Sequence, residues 1–321
     1  MVDFIVRPHT IDDDPQIVAL GNLLGPEYPE QTVEEYRRFI DLLPPEVRHR
    51  RLVAMRDGEF VGHSFLAEMF WVTESGRFTA QVEVHPAHQG RGIGEALYAP
   101  LLDTAREFGA QRLYGNVRED RPEARRFAAK HGFSDTGHIS RNSRLDVHQP
   151  TWEGYDGLEE QLGREGIHVK TLAELGPQDD DVFRAIHRVQ VETARDEPGS
   201  EEFGMAFEQW RDLFLTSPGM SPESVWVALD GSQMVGLTAV RRQGSNAGWH
   251  NGMGVMRAYR GRGIARLLKM KTIRWAQQNG VDYLFTGNDV DNPRMYAINM
   301  RLGYQPLPGV AEVVRDLSGR S

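Results

Sequence analysis

The chain has 321 residues, 40% of them hydrophobic and 26% charged, a composition of folded globular domains and about twice the length of one ordinary domain. Its 37 Lys+Arg against 46 Asp+Glu give a formal charge of −9, which argues against a protein whose main task is to coat nucleic acid. Cysteine is absent, which removes disulfides, thiolate metal ligands and a cysteine nucleophile together.

The chain opens with a strand pattern at Phe4-Ile5-Val6 and an acidic run, Asp12-Asp13-Asp14, that can cap a helix carrying Ile17, Leu20 and Leu24. Arg51 to Arg56 and Phe60 to Gly62 flank Asp57-Gly58, a two-residue hairpin signal. A strand ending at Val84 leads into a glycine-rich turn and a helix over about 92–108, which Pro100 is expected to bend or end early. Gly109 supplies its left-handed stop. A strand over Arg112–Val117 and a helix starting at Pro122 complete a first domain at 1–147. Residues 148–165, rich in glycine, proline and polar groups, read as a linker.

The order then repeats over 166–321. Ile167–Lys170 reads as a strand, Asp179-Asp180-Asp181 as the cap of a helix with Phe183, Ile186 and Val189, and Asp230-Gly231 as a hairpin turn. A strand ending at Val255 precedes a helix over about 263–278, a strand follows at Tyr283–Thr286, and another helix starts at Pro293. Val84/Val255, Arg91/Arg262, Gly92/Gly263, Leu97/Leu268, Pro122/Pro293 and Gly132/Gly303 all differ by 171 positions, so one unit is written twice. No apolar run approaches the roughly 18 residues of a spanning helix, and Met1–Arg7 lacks the form of a signal peptide. A soluble, cytoplasmic protein is the expectation, without a membrane or nucleic-acid partner, without a bound metal, and as a monomer or homodimer.

The duplicated turn is the chemically informative part. Gln89-Gly90-Arg91-Gly92-Ile93-Gly94 and Arg260-Gly261-Arg262-Gly263-Ile264-Ala265 each place unpaired backbone N–H groups at the positive end of a helix, where a phosphate is stabilised. The glycines let the main chain approach the anion, and the arginines add charge. A dinucleotide-binding reading fits poorly because its later acidic residue is missing, and a P-loop lacks its Gly-Lys-Ser/Thr.

In this context the pattern resembles the GNAT superfamily of acyl-CoA-dependent N-acyltransferases, and it does so twice: Gln89 to Gly94 with His131-Gly132-Phe133, and Arg260 to Ala265 with Leu302-Gly303-Tyr304. The resemblance implies an α/β fold with a mixed α+β sheet in each of two tandem domains. It also implies acetyl-CoA as the cofactor, its pyrophosphate held by the turn from Gln89 to Gly94 and by Arg257 and the turn from Arg260 to Ala265, and its pantetheine arm and acyl carbonyl along the main chain at Val84 and Val255. Asn288 and Asn292 match a common subgroup and are carried over as cofactor-binding residues. The implied activity is direct acetyl transfer to a primary amine of a small molecule or peptide. A non-catalytic acyl-CoA-binding sensor or scaffold is the alternative.

The position where many members of the family have a tyrosine acid holds Ala128 in the first copy and Asn299 in the second. The second copy departs less from the family pattern and is the half expected to work, with His250, Asn251, Tyr296 and Asn299 as its catalytic candidates. Glu83 occupies the corresponding strand of the first copy. The acidic pairs Glu34-Glu35 and Glu201-Glu202 suit a cationic acceptor or plain solubility; Trp71, Trp210, Trp226 and Trp249 suit an acceptor pocket or core packing.

Overall fold

The computed structural model describes residues 4–152, 155–195, 206–216, 218–290 and 292–319, so Glu201 and Glu202 lie outside the described residues. The chain divides into two compact units, residues 1–139 with 308–321, and residues 140–307. In chain order the elements are β1 Ile5–Pro8, α1 Asp14–Leu24, α2 Val33–Asp41, β2 His49–Arg56, β3 Glu59–Glu68, β4 Arg77–Val84, α3 Ile93–Glu107, β5 Arg112–Arg118, α4 Pro122–Lys130 and β6 Ser134–Asp146. There follow α5 Leu158–Arg164, β7 Ile167–Thr171, α6 Asp180–Ala194, α7 Phe207–Thr216, β8 Val225–Asp230, β9 Gln233–Gln243, β10 Ala247–Val255, α8 Ile264–Gln278, β11 Tyr283–Asp289, α9 Pro293–Arg301, β12 Gln305–Pro306 and β13 Val310–Asp316.

Local chemistry accounts for most of these boundaries. Asp57 and Gly58 both take positive φ, at 51° and 83°, as a tight hairpin turn between β2 and β3 requires. The Asp179 side chain accepts the Val182 N–H at the start of α6, and Pro122 and Pro293 occupy the first positions of α4 and α9, where no N–H is needed. Pro100 does not end α3, which runs on to Glu107. Leu97, Leu101 and Ala105 are buried from this helix, and their burial outweighs the roughly 3 kcal/mol that an internal proline costs.

Both units carry a mixed sheet, as the pattern implies. In the first, β1 to β5 lie side by side, β13 follows β5, and the start of β6 follows β13, with the Thr136 hydroxyl donating to the Glu312 carbonyl at 3.3 Å. In the second, the order is β7-β8-β9-β10-β11 and then residues 140–146 of β6, with β12 alongside. β4 with β5 and β10 with β11 are parallel; β1/β2, β2/β3, β3/β4, β5/β13, β7/β8, β8/β9, β9/β10, β6/β11 and β6/β12 are antiparallel.

The two copies trade their last strands. Asp316 stands opposite Arg112 and Val310 opposite Arg118, while Asp146 stands opposite Tyr283 and Ser140 opposite Asp289. Residues 308–321, expected in a domain over 166–321, thus belong to the first unit, and 140–147, expected in a domain over 1–147, to the second. The 148–165 segment is not all connection: it contains α5, whose Leu158 and Leu162 are 5% and 0% exposed within the second unit's core.

A chain ended at Leu307 should therefore lose protection of the β5 amides, residues 112–118, in hydrogen exchange, because β13 supplies their partner carbonyls on that side. Retained protection in the shortened chain would contradict the exchange.

Candidate active site

In each unit the two parallel strands are paired over three positions and then part. Arg77, Phe78 and Thr79 of β4 face Arg112, Leu113 and Tyr114 of β5; Ala247, Gly248 and Trp249 of β10 face Tyr283, Leu284 and Phe285 of β11. Beyond these rungs, among the described residues, β5 and β11 no longer pair with the ends of β4 and β10. Each strand then turns into its glycine-rich loop at Val84 or Val255 and enters α3 or α8.

The loops have matching backbones. Gly90 and Gly92 have φ of 72° and 83°, Gly261 and Gly263 of 80° and 98°, and Gly92 and Gly263 are the N-caps of their helices. Gln89 Nε2 donates to the Val84 carbonyl at 3.0 Å, and Arg260 Nε donates to the Val255 carbonyl at 2.9 Å. Both side chains brace the loop against the end of its strand. Ile93 and Ile264 are each 1% exposed and anchor the first helical turns in the cores.

Around this shared backbone the units differ. A Cβ placed on Gly90 or Gly92 meets no atom within 4 Å, and Arg91 is exposed; one on Gly94 comes within 3.2 Å of the Phe127 ring, so a glycine lets α4 pack there. In the second unit a Cβ on Gly263 falls 2.8 Å from Leu158 Cδ1 of α5, and Arg262 donates from Nε and Nη2 to Glu165 Oε2 at 3.0 and 2.8 Å. A carboxylate of the chain itself therefore engages the arginine that matches Arg91. Arg257 and Gly261 are exposed and Ala265 is half-buried.

The strands differ too. Glu83, one residue before Val84, is half-buried; Oε2 lies 3.0 Å from His63 Nε2 on β3, and Oε1 accepts from Gln81 Nε2 at 2.6 Å. Burial works to raise the carboxyl's pKa, but the bond and charge of His63 and the bond from Gln81 outweigh it and leave the group below its ordinary value. By the repeat offset the matching residue is Gly254, where a Cβ would lie 2.2 Å from Thr193 Oγ1. The second unit has a threonine packed where the first has a carboxylate.

The candidates in the second unit are mostly interior. His250 is 8% exposed, its Nε2 is 2.9 Å from Tyr304 Oη, and burial together with the charge of Lys269 pushes its pKa well below the ordinary value. It sits at an irregularity in the β9/β10 register between His250 and Met253. Asn299 is 0% exposed and donates to Asn288 Oδ1 at 2.6 Å. Asn292 caps α9 by accepting the Met295 N–H at 3.3 Å, and Tyr296 is half-buried on the same helix. Asn251 is exposed and donates to the Met220 sulfur at 3.1 Å. Trp210 and Trp226 are core residues, 4% and 3% exposed. Sequence reasoning overlooked Lys269, which is 1% exposed; its Nζ donates to Thr286 Oγ1 at 3.3 Å and lies 5.1 Å from the Tyr304 ring centre. The signal was present: position 269 matches Tyr98, so a lysine stands at an apolar-face helix position.

Two parted parallel strand pairs, each ending at a glycine-rich helix N-terminus, define an acyl-transferase fold. The family model of the acetyltransferase (GNAT) family matches residues 17–133 and 183–304, and the chain belongs to that family as a tandem N-acetyltransferase. Among curated relatives, a protein named mycothiol acetyltransferase of Nocardia farcinica is 27% identical over 271 residues, covering 80% of each chain. Another, of Amycolatopsis mediterranei, is 26% identical over 302 residues, covering 87% of this chain and 93% of its own. The fold is shared with a tandem GNAT protein from the clavulanic acid biosynthesis pathway at a TM-score of 0.75 and 20% identity, covering 99% of each chain. No helix among the described residues is long and apolar enough to cross a membrane.

Burial lowers the pKa of Lys269 to about 7. From there to the ordinary lysine value the unfolded chain binds a proton that the folded chain does not, so stability rises with pH across that window and the penalty is full below it. Lys269→Met should raise stability at pH 7 by on the order of 2 kcal/mol and flatten its pH dependence from about 7 upward in denaturant melts. An unchanged slope would place the charge elsewhere.

Proposed function

We propose that this N-acetyltransferase moves the acetyl group of acetyl-CoA directly to a primary amine of a small molecule, and that the first unit carries the reaction. The observation that supports this assignment is Glu83: a held, partly buried carboxylate one residue from the strand end, beside a glycine loop whose arginine is free of the contact that engages Arg262. The sequence pattern alone favours the second unit. Against that stand the Glu165–Arg262 contact, the Leu158 side chain against Gly263, and Gly254 in the place of Glu83.

The fit of the cofactor to the first loop rests on the loop itself. Positive φ at Gly90 and Gly92 turns successive N–H groups outward at the start of α3, and no side chain lies where a Cβ would project. Gln89 ties that loop to the Val84 carbonyl, which fixes the distance between phosphate seat and strand end. The bound cofactor supplies the activated thioester. The free main chain of β4 beyond Thr79 polarises the acyl carbonyl. Glu83 accepts the amine's proton as the C–N bond forms and the C–S bond breaks, and CoA leaves as the thiolate. Ala128 has no proton to give, so the thiolate takes one from water.

In this reading His250 and Asn299 hold the second unit's interior together and Asn292 caps α9, while Asn251 and Tyr296 lie outside the reacting unit. The second unit is then a structural or acyl-CoA-sensing partner within the same chain. A cytoplasmic setting suits an acetyl-CoA-dependent reaction. Since two relatives matched over most of their length are named mycothiol acetyltransferases, the amine screen begins with the unacetylated mycothiol precursor and extends to amino acids, polyamines and aminosugars.

Calorimetric titration with acetyl-CoA tests the assignment. Gly92→Glu puts a charged side chain at a left-handed backbone position in the phosphate seat and should abolish turnover, whereas Gly263→Glu should leave kcat within about threefold if the chain remains folded. Glu83→Gln should lower kcat about a hundredfold or more with acetyl-CoA affinity retained. Loss of turnover with Gly263→Glu alone would return the reaction to the second unit.

A further inference from the structure

The carboxylate of Glu83 is held at both oxygens, and the two holders differ in kind. Gln81 is an exposed amide on the same strand; His63 is a 6% exposed imidazole on the neighbouring strand, directly across the ladder from Glu83. An ionised carboxylate only accepts hydrogen bonds, so the nitrogen that faces it must carry the proton. In neutral His63 this makes Nε2 the protonated nitrogen.

We propose that His63 is a positioning residue for acetyl transfer: its Nε2–H, together with the Gln81 amide, fixes the Glu83 carboxylate so that one defined lone pair is left for the incoming amine. This rests on the reading that the first unit is the working one. The step is the transfer already described, with the amine's proton passing to the Glu83 oxygen and none passing through His63, whose Nε2 already holds a proton. His63 acts on the base and touches no reacting atom. The hydrogen bond also keeps Glu83 in its basic form, because a half-buried carboxylate without donors holds its proton to higher pH.

The other titratable groups on this side of the unit are engaged with one another. From β1, α1, α2 and β2 and the loops between them they are Arg7 with Asp13 at 2.7 Å, His9 with Asp14 at 2.7 Å, Arg37 with Asp14 at 2.8 Å, Arg51 with Asp14 at 3.6 Å, and Arg51 with the Tyr36 hydroxyl at 3.5 Å. Of these Tyr36 feels the charge of Glu83, which, with burial and Asp14, keeps its own hydroxyl protonated. Glu83 itself accepts from His63 and Gln81.

Two measurements on the full chain test the role. Long-range proton–nitrogen spectra of the unmodified protein, with the His63 ring assigned by comparison with His63→Gln, should show its neutral ring protonated at Nε2; a proton on Nδ1 overturns the proposal without any variant having to fold. Acetyl-CoA turnover is then followed as thiol release across pH, with water as acceptor when no amine is supplied. His63→Leu should move the acid limb up by about one pH unit, costing about tenfold on the limb itself and little on the plateau, while His63→Gln, which keeps a donor without the ring's charge, should return the limb most of the way. A limb unmoved by His63→Leu overturns the proposal while leaving Glu83 as base. Undiminished thiol release from Glu83→Gln removes the base itself, and with it the reading of the first unit.

Discussion

Everything at the candidate site depends on two parallel strands separating after three rungs. Had β4 stayed paired with β5 beyond Thr79, the main-chain groups from Ala80 to Val84 would be consumed by the ladder and no thioester could lie beside them. The glycine loop answers the same geometry from the other end. Gln89 and Arg260 hold it to the last carbonyl of the strand, so the helix N-terminus and the parted strand end are fixed relative to each other by one short piece of chain.

Duplication kept that frame and let the side chains around it diverge. Positions 83, 98 and 128 hold Glu, Tyr and Ala; their partners 254, 269 and 299 hold Gly, Lys and Asn. In the first unit Glu83 is held by His63 and Gln81, and a Cβ on Gly90 or Gly92 meets no atom within 4 Å. In the second, Thr193 packs against Gly254, and a lysine, a histidine and an asparagine are drawn into the interior, where each needs a partner and finds one in Thr286, Tyr304 or Asn288. Buried polar groups of this kind fix one arrangement of the core more than they add to its stability.

The frame was legible because its signals are local. Asp57-Gly58, the loop glycines and the prolines at 122 and 293 act through the backbone of the residues that carry them, and the constant offset of 171 made each reading count twice. What depended on distant partners was not legible. Glu83 is placed by the sequence only on the approach strand; the partner that holds it, His63, lies twenty positions earlier and meets it across the ladder. His250 is a catalytic candidate by its place on the strand, and its enclosure, at 8% exposed, depends on residues distant in the chain. The short helix from Leu158 to Arg164 was hidden by the glycines and polar residues around it, though its two leucines are both buried in the core.

The trade of final strands bears on how the protein is made. The first unit's sheet is finished by Val310–Asp316, so almost the whole chain must leave the ribosome before the strand beside β5 exists. Until then β5 is an open edge, and the segment Ser140–Asp146 that matches β13 in the repeat is the nearest substitute. Synthesis therefore leaves the first unit's sheet incomplete while the C-terminal half is translated. A cut at the sequence boundary therefore takes from each copy the strand that completes its sheet here and leaves in its place the matching segment of its own repeat.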